Sequence, residues 1–306
     1  MKRYTGIFIC IILALIAAGY FTAHRTDFME LWNMAPMDLA FLVGMNLVTR
    51  VLVGARLKYL TAPFGLKLSL REGTALSFIQ AYGNVVAIKG GTVAIAYYLY
   101  SEKNFGLDRF ISITGGGFVV TILSISAAGL IGIGLVSLHS GVGPEIPFFF
   151  SIIFLGALAL LILPSLRMPL TRITKFVKNV MEGWDVLRSS RLNLFRLVAV
   201  EIAILMSFAI RYYIAFRGFS QSIRLSQAFI LAPPAYLSLM LNFTPAGLGI
   251  REPILAYMSG ILGYTVKGGL GAAILDSAVM VIISLAIGPF VAPFFMRRKG
   301  EADASA

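Results

Sequence analysis

The sequence is short of nearly everything a soluble domain uses for its surface and its chemistry. Charged residues are 13% of 306 positions, and apolar residues are 58%. That little polarity cannot clothe a water-soluble domain of this length, so the chain reads as a polytopic membrane protein. Its one cysteine, Cys10, excludes a disulfide within the chain. The two histidines, His24 and His139, fall in predicted loops. No HExxH, CxxC or GxxxxGK[ST] pattern occurs, so zinc hydrolysis and P-loop nucleotide use have no support and no cofactor or metal is expected. Acidic residues number 14 against 26 Lys and Arg. In a membrane chain such an excess reads as a topology signal and as contact with anionic lipid, with no nucleic-acid partner.

What remains is apolar sequence in long runs. A bilayer span needs ~20 apolar residues. Runs that meet or approach that length lie near 6–22, 37–57, 110–138, 146–165, 193–216 and 269–296. The first follows two basic residues, as in a signal peptide, and is read as an uncleaved helix. Two further apolar stretches are interrupted. Residues 73–100 are broken at Gly83-Asn84 and at Lys89-Gly90-Gly91, and residues 226–262 at Pro233-Pro234 and at TPAGLG, 244–249. The fold class expected is an all-α polytopic membrane protein with about six full spans and two re-entrant broken-helix hairpins. It forms one membrane domain over 1–306, with a first half near 37–138 and a second near 193–296.

Charge orders these pieces. With both hairpins re-entrant and the N-terminus cytoplasmic, only Arg25, Arg217, Arg224 and Lys267 fall outside, while Arg50, Lys89, Arg196, Arg211 and Arg251 lie in apolar segments. Every other Lys and Arg is then cytoplasmic, as are both termini, which satisfies the positive-inside rule of an inner membrane. The two hairpins then dip in from opposite sides, an inverted-topology repeat. Aligning Arg56 with Arg211 also sets Phe64 on Phe219, Leu68 on Ile223 and Leu70 on Leu225. Such repeats hold their substrate near the midplane, where broken helices meet.

The breaks are the candidate substrate-binding elements. Pro245 ends an arm, Gly247 and Gly249 permit a tight turn, and the next arm starts near Ile250 with its positive dipole end facing the break. Arg251 and, on the other hairpin, Lys89 add full charges, making a centre for an anion such as a lipid phosphate. Alternatively Arg251 pairs with Glu252 or another buried carboxylate and holds the hairpin shut. Asn84 and Asn242 either bind substrate or cap the turns. Arg50, Glu201, Arg211 and Asp276 lie inside spans, where lipid exposure costs roughly 2.5–3.5 kcal/mol each. Glu201 and Asp276 are candidates for a proton or cation relay, or for ion pairs with Arg50 or Arg211. Between the halves, 166–192 places Leu170, Ile173, Val177, Val180, Trp184 and Leu187 on one helical stripe, with Arg172, Lys175 and Lys178 off it. That pattern suits a helix on the cytoplasmic surface against anionic lipid.

Asn242 with TPAGLGIRE at 244–252 resembles the Pro-Gly-Gly-x-Gly-x-Arg-Glu element of the lysylphosphatidylglycerol synthetase transmembrane, or flippase-like, family. Asn84 with Lys89-Gly90-Gly91 is similar to its first-half Asn…Pro-x-Arg-x-Gly element, with Ala87 in place of Pro and Lys89 in place of Arg. The resemblance implies translocation of a lipid with a charged or glycosylated headgroup: aminoacyl-phosphatidylglycerol, a polyprenyl-phosphate glycolipid or a hopanoid-related lipid. It also implies no lysyl transfer, since synthetase members perform that in a separate soluble domain. The alternatives are a membrane-embedded glycosyl- or aminoacyl-lipid transferase, and a non-transporting partner of a lipid-synthesis enzyme.

Overall fold

The computed structural model describes residues 34–137, 143–162, 173–241 and 243–296. These form ten α-helices: α1 Pro36–Thr61, α2 Leu70–Val86, α3 Gly90–Lys103, α4 Leu107–Ser137, α5 Glu145–Ile162, α6 Ile173–Ser189, α7 Arg191–Arg217, α8 Leu225–Leu241, α9 Arg251–Ile261 and α10 Val266–Met296. Four stretches, Pro36–Phe64, Leu107–Ser137, Arg191–Arg217 and Val266–Pro293, are long and apolar enough to cross a bilayer. The expected span 6–22 lies outside the described residues. The expected span 146–165 is helical over Glu145–Ile162.

Helix lengths recur. α1 to α4 have 26, 17, 14 and 31 residues; α7 to α10 have 27, 17, 11 and 31. Leu70 and Leu225, aligned by the sequence, each open a helix of 17 residues. The leading helices α1 and α7 cross in opposite directions. Asp38 meets Arg217 at 3.5 Å, Thr49 meets Ser207 at 2.9 Å, and Arg56 meets Glu201 at 2.6 Å, so ascending positions on α1 face descending ones on α7. This is the arrangement an inverted repeat demands. The halves interlock: α2 packs on α10 and α8 on α4.

Close crossings depend on glycine at a few points. A Cβ on Gly54 of α1 would stand 2.4 Å from the Thr74 backbone nitrogen of α2, and one on Gly73 would stand 2.4 Å from the Gly54 carbonyl oxygen. Backbone cannot yield as a side-chain tip can. Gly54→Ala should therefore pry α1 from α2 and lower stability by ~1–3 kcal/mol, read as a lower midpoint of thermal unfolding in detergent.

Three sequence expectations change here. Gly83-Asn84 does not break its helix. Gly83 stays helical and gives room to the returning chain, since a Cβ there would come within 2.6 Å of the Gly91 nitrogen. Pro233-Pro234 does not break α8 either. Both prolines are buried among neighbouring helices, a setting that tolerates the lost backbone hydrogen bonds. The described part of the apolar stripe of the 166–192 segment is used within the protein: Gly115 and Gly116 of α4 abut Val180 and Gly183 of α6, and Leu187 is buried. Leu170 lies outside the described residues. Lys178 and Arg188 are exposed and pair with Glu182 and Asp185.

Candidate functional site

The first hairpin turns at Ala87–Lys89. Lys89 takes a left-handed conformation (φ 57°) as the residue before α3, and its side chain points away from the interior, exposed. Asn84, one turn earlier, accepts a hydrogen bond at 2.9 Å from the Gly91 N–H through Oδ1. It thereby caps α3 from the side of α2.

The second hairpin turns through Pro245, Ala246 and Gly247. Ala246 and Gly247 have φ of 54° and 71°, and Gly249 has φ 82°. Left-handed backbone costs glycine little, which explains two of these three positions; Ala246 bears the strain of a Cβ. The Gly249 N–H donates to Glu252 Oε2 at 2.7 Å. Glu252 thus sits in the first turn of α9, where the dipole favours a negative charge. The expected anion-attracting ends of both second arms are therefore satisfied by the protein's own Asn84 and Glu252. Asn242 lies outside the described residues.

Arg251 is fully buried. Its Nη1 lies 3.1 Å from Asp276 Oδ2, and its Nη2 donates to Ser277, whose hydroxyl donates to Glu252 at 2.5 Å. Asp276 also accepts two hydrogen bonds from Arg211, at 2.7 and 2.6 Å. Arg211 in turn lies 4.4 Å from the Phe208 ring centroid. Two cations and two anions close on one another. The sequence alternatives for these residues narrow: Arg251 meets a carboxylate, Asp276, and Asp276 is held between two arginines. Lys89 and Arg251 do not form one centre.

A second buried cluster surrounds Glu201. Its Oε1 accepts from Arg56 Nε at 2.6 Å and from Thr121 at 2.5 Å, and its Oε2 accepts from the Tyr236 hydroxyl at 3.1 Å. Arg56, a cytoplasmic charge by the positive-inside pattern, turns inward to Glu201. Its alignment with Arg211, an arginine inside a span, is the sequence signal for this.

Both clusters are self-neutralised. Arg50, midway along α1, has no ion pair among the described residues. It lines a cavity of about 240 Å³ lying between the two breaks. Asn84 of the first hairpin and Ala246 of the second both border it, with Arg56, Gln80, Thr92 and Thr114 around the wall. The turn at Pro245–Gly247 packs directly on α2, so the two hairpins do converge. The halves differ in one respect: α9 packs along α10, whereas α3 meets α4 over only a short stretch, and residues of α3 and α4 border the cavity.

These features define a helical membrane protein with a half-open, mainly apolar cavity between paired broken hairpins, bordered by Arg50, Arg56 and a few neutral polar side chains. The chain belongs to the family described as the lysylphosphatidylglycerol synthase TM region, whose profile matches residues 2–288. It is a multi-pass membrane protein, and that family places it in lipid-related function. No curated protein and no solved structure matches it.

Proposed function

We propose that the protein moves a lipid with an acidic headgroup from one membrane leaflet to the other, without chemical change. The observation carrying this reading is Arg50, a half-buried cation without an ion pair among the described residues, beside clusters whose charges cancel. A cation facing a poorly hydrated space without a carboxylate beside it is a natural partner for an entering phosphate. The cavity is smaller than the ~300–1,000 Å³ pockets that enclose whole ligands, which suits a headgroup inside and acyl chains outside in lipid.

The cavity is bordered by the last turns of α1 and the first turns of α4, and the chain ends of α1 to α4 on that side carry Lys58, Lys67, Arg71, Lys103 and Arg109. On the positive-inside rule that end faces the cytoplasm of an inner membrane, with both termini on the same side. The gap between α3 and α4 is the headgroup's entrance, and the closed α9–α10 contact is the exit in its shut state. Reversal of that difference between the halves would complete a transport cycle. Candidate cargoes include aminoacyl-phosphatidylglycerol, phosphatidylglycerol itself and phosphate-linked glycolipids. Anionic lipid at the basic side of 166–192, and a lipid- or glycolipid-synthesis enzyme supplying the cargo, are the partners this reading calls for.

The test is translocation of a headgroup-labelled phosphatidylglycerol in proteoliposomes. Arg50→Gln should lower the initial rate roughly tenfold or more, since a charge-assisted hydrogen bond to phosphate is worth ~1.5–3 kcal/mol. Arg50→Lys should keep part of the rate. An unchanged rate in Arg50→Gln would remove the cavity from the transport path.

A further inference from the structure

The cavity wall says more about the headgroup than its charge. We infer that it selects a phosphate headgroup whose remainder is uncharged and rich in hydroxyls, a polyol or a sugar, and rejects one that carries an amine. This rests on the reading above that a lipid headgroup occupies the cavity.

The first argument is a count of acids. Glu201, Glu252 and Asp276 are the buried carboxylates of the described residues, and each is held by hydrogen bonds or arginine within its own cluster. No Asp or Glu borders the cavity. An ammonium group entering beside Arg50 would meet like charge and no carboxylate. In a half-open, mainly apolar cavity, where screening is weaker than in bulk water, that repulsion disfavours the amine.

The second argument is what does border the cavity. Gln80 and Thr92 make no side-chain hydrogen bond among the described residues, and both face the space beside Arg50. Asn84 uses its Oδ1 on Gly91, which leaves its amide N–H groups to donate. The Thr114 hydroxyl donates to the Phe110 carbonyl at 2.8 Å and can still accept. Neutral donors and acceptors of this kind pair with hydroxyls, which both give and take hydrogen bonds. These half-buried and exposed groups form the smaller, polar part of a mainly apolar wall, and a headgroup that leaves them unpaired loses affinity against one that hydrogen-bonds to them. Phosphatidylglycerol and glycosyl phosphates meet both requirements. Lysyl-phosphatidylglycerol meets the phosphate requirement and brings amines the wall cannot neutralise.

The experiment compares dioctanoyl-phosphatidylglycerol with dioctanoyl-lysyl-phosphatidylglycerol, titrated calorimetrically into the purified full chain in an uncharged detergent. The wild-type protein should bind the glycerol lipid roughly tenfold or more tightly. Gln80→Glu, nearly isosteric, puts a carboxylate on the wall and should narrow or reverse the ratio. Equal affinities, or a wild-type preference for the lysyl lipid, would overturn the inference while leaving transport intact. If neither lipid binds, the transport reading itself falls. Because the wild-type comparison needs no variant, a misfolded Gln80→Glu protein cannot rescue the inference.

Discussion

Asp276→Ala is expected to leave no stably folded protein in detergent. The carboxylate stands between Arg211 and Arg251, both fully buried, and it is the only acid within ion-pair distance of either among the described residues. Removing one partner of a buried pair costs ~3–5 kcal/mol, because the remaining charge keeps its desolvation and loses its compensation. Here two arginines are stranded by one change. A typical protein has ~5–15 kcal/mol in total. Yield after solubilisation and the midpoint of thermal unfolding are the measurements. Asp276→Ala with Arg211→Met should regain part of the loss, since one of the stranded charges goes too. A single variant unfolding within a few degrees of wild type would mean that the cluster is not what holds α7, α9 and α10 together.

Joining α3 to α4 should stop transport outright. Thr92 and Thr114 border the cavity from these two helices, which otherwise touch over only a short stretch. In the other half α9 already lies along α10. If the halves exchange these arrangements during a cycle, a covalent strap across the looser pair holds the cavity mouth in one state. The chain's single cysteine, Cys10, makes the background simple. In a Cys10→Ser protein carrying Thr92→Cys and Thr114→Cys, a cleavable thiol crosslinker should bring translocation to the rate of empty vesicles, and reduction should restore it. Crosslinked protein that still flips lipid at the unlinked rate would show that α3 and α4 do not gate the path.

The sequence displayed the architecture better than the chemistry. Helix lengths, the turn before Gly90, the turn at Pro245–Gly247 and the register of Leu70 on Leu225 follow from local signals: apolar length, glycine, proline and spacing. Those signals act within a few residues, so one chain suffices to read them. Charge pairing is different. Whether Arg56 faces water or Glu201 depends on how α1 is rotated against α7, and nothing within α1 records that. The same holds for Arg251, which sits at the start of a helix like an anion ligand and is claimed by Asp276 from α10. Of the two arginines the sequence offers as ion-pair partners for Glu201 and Asp276, only Arg211 forms such a pair among the described residues; Arg50 makes none there, and the sequence of α1 does not record which of the two Asp276 takes. Pro233-Pro234 misled for a related reason. Proline breaks helices in water, and α8 is shielded on all sides by protein at those residues.

The interlocking of the halves has a bearing on how the chain is made. Tyr82 of α2 rests on Gly288 near the end of α10, and Ile230 of α8 rests on Gly132 of α4. While the ribosome is still translating the second half, α2 therefore has no shelf to lie on, and its polar Gln80 and Asn84 must wait in the membrane for a helix not yet made. A chain truncated before α10 should be recognised by quality-control proteases as an orphan, even though every helix of its first half is present.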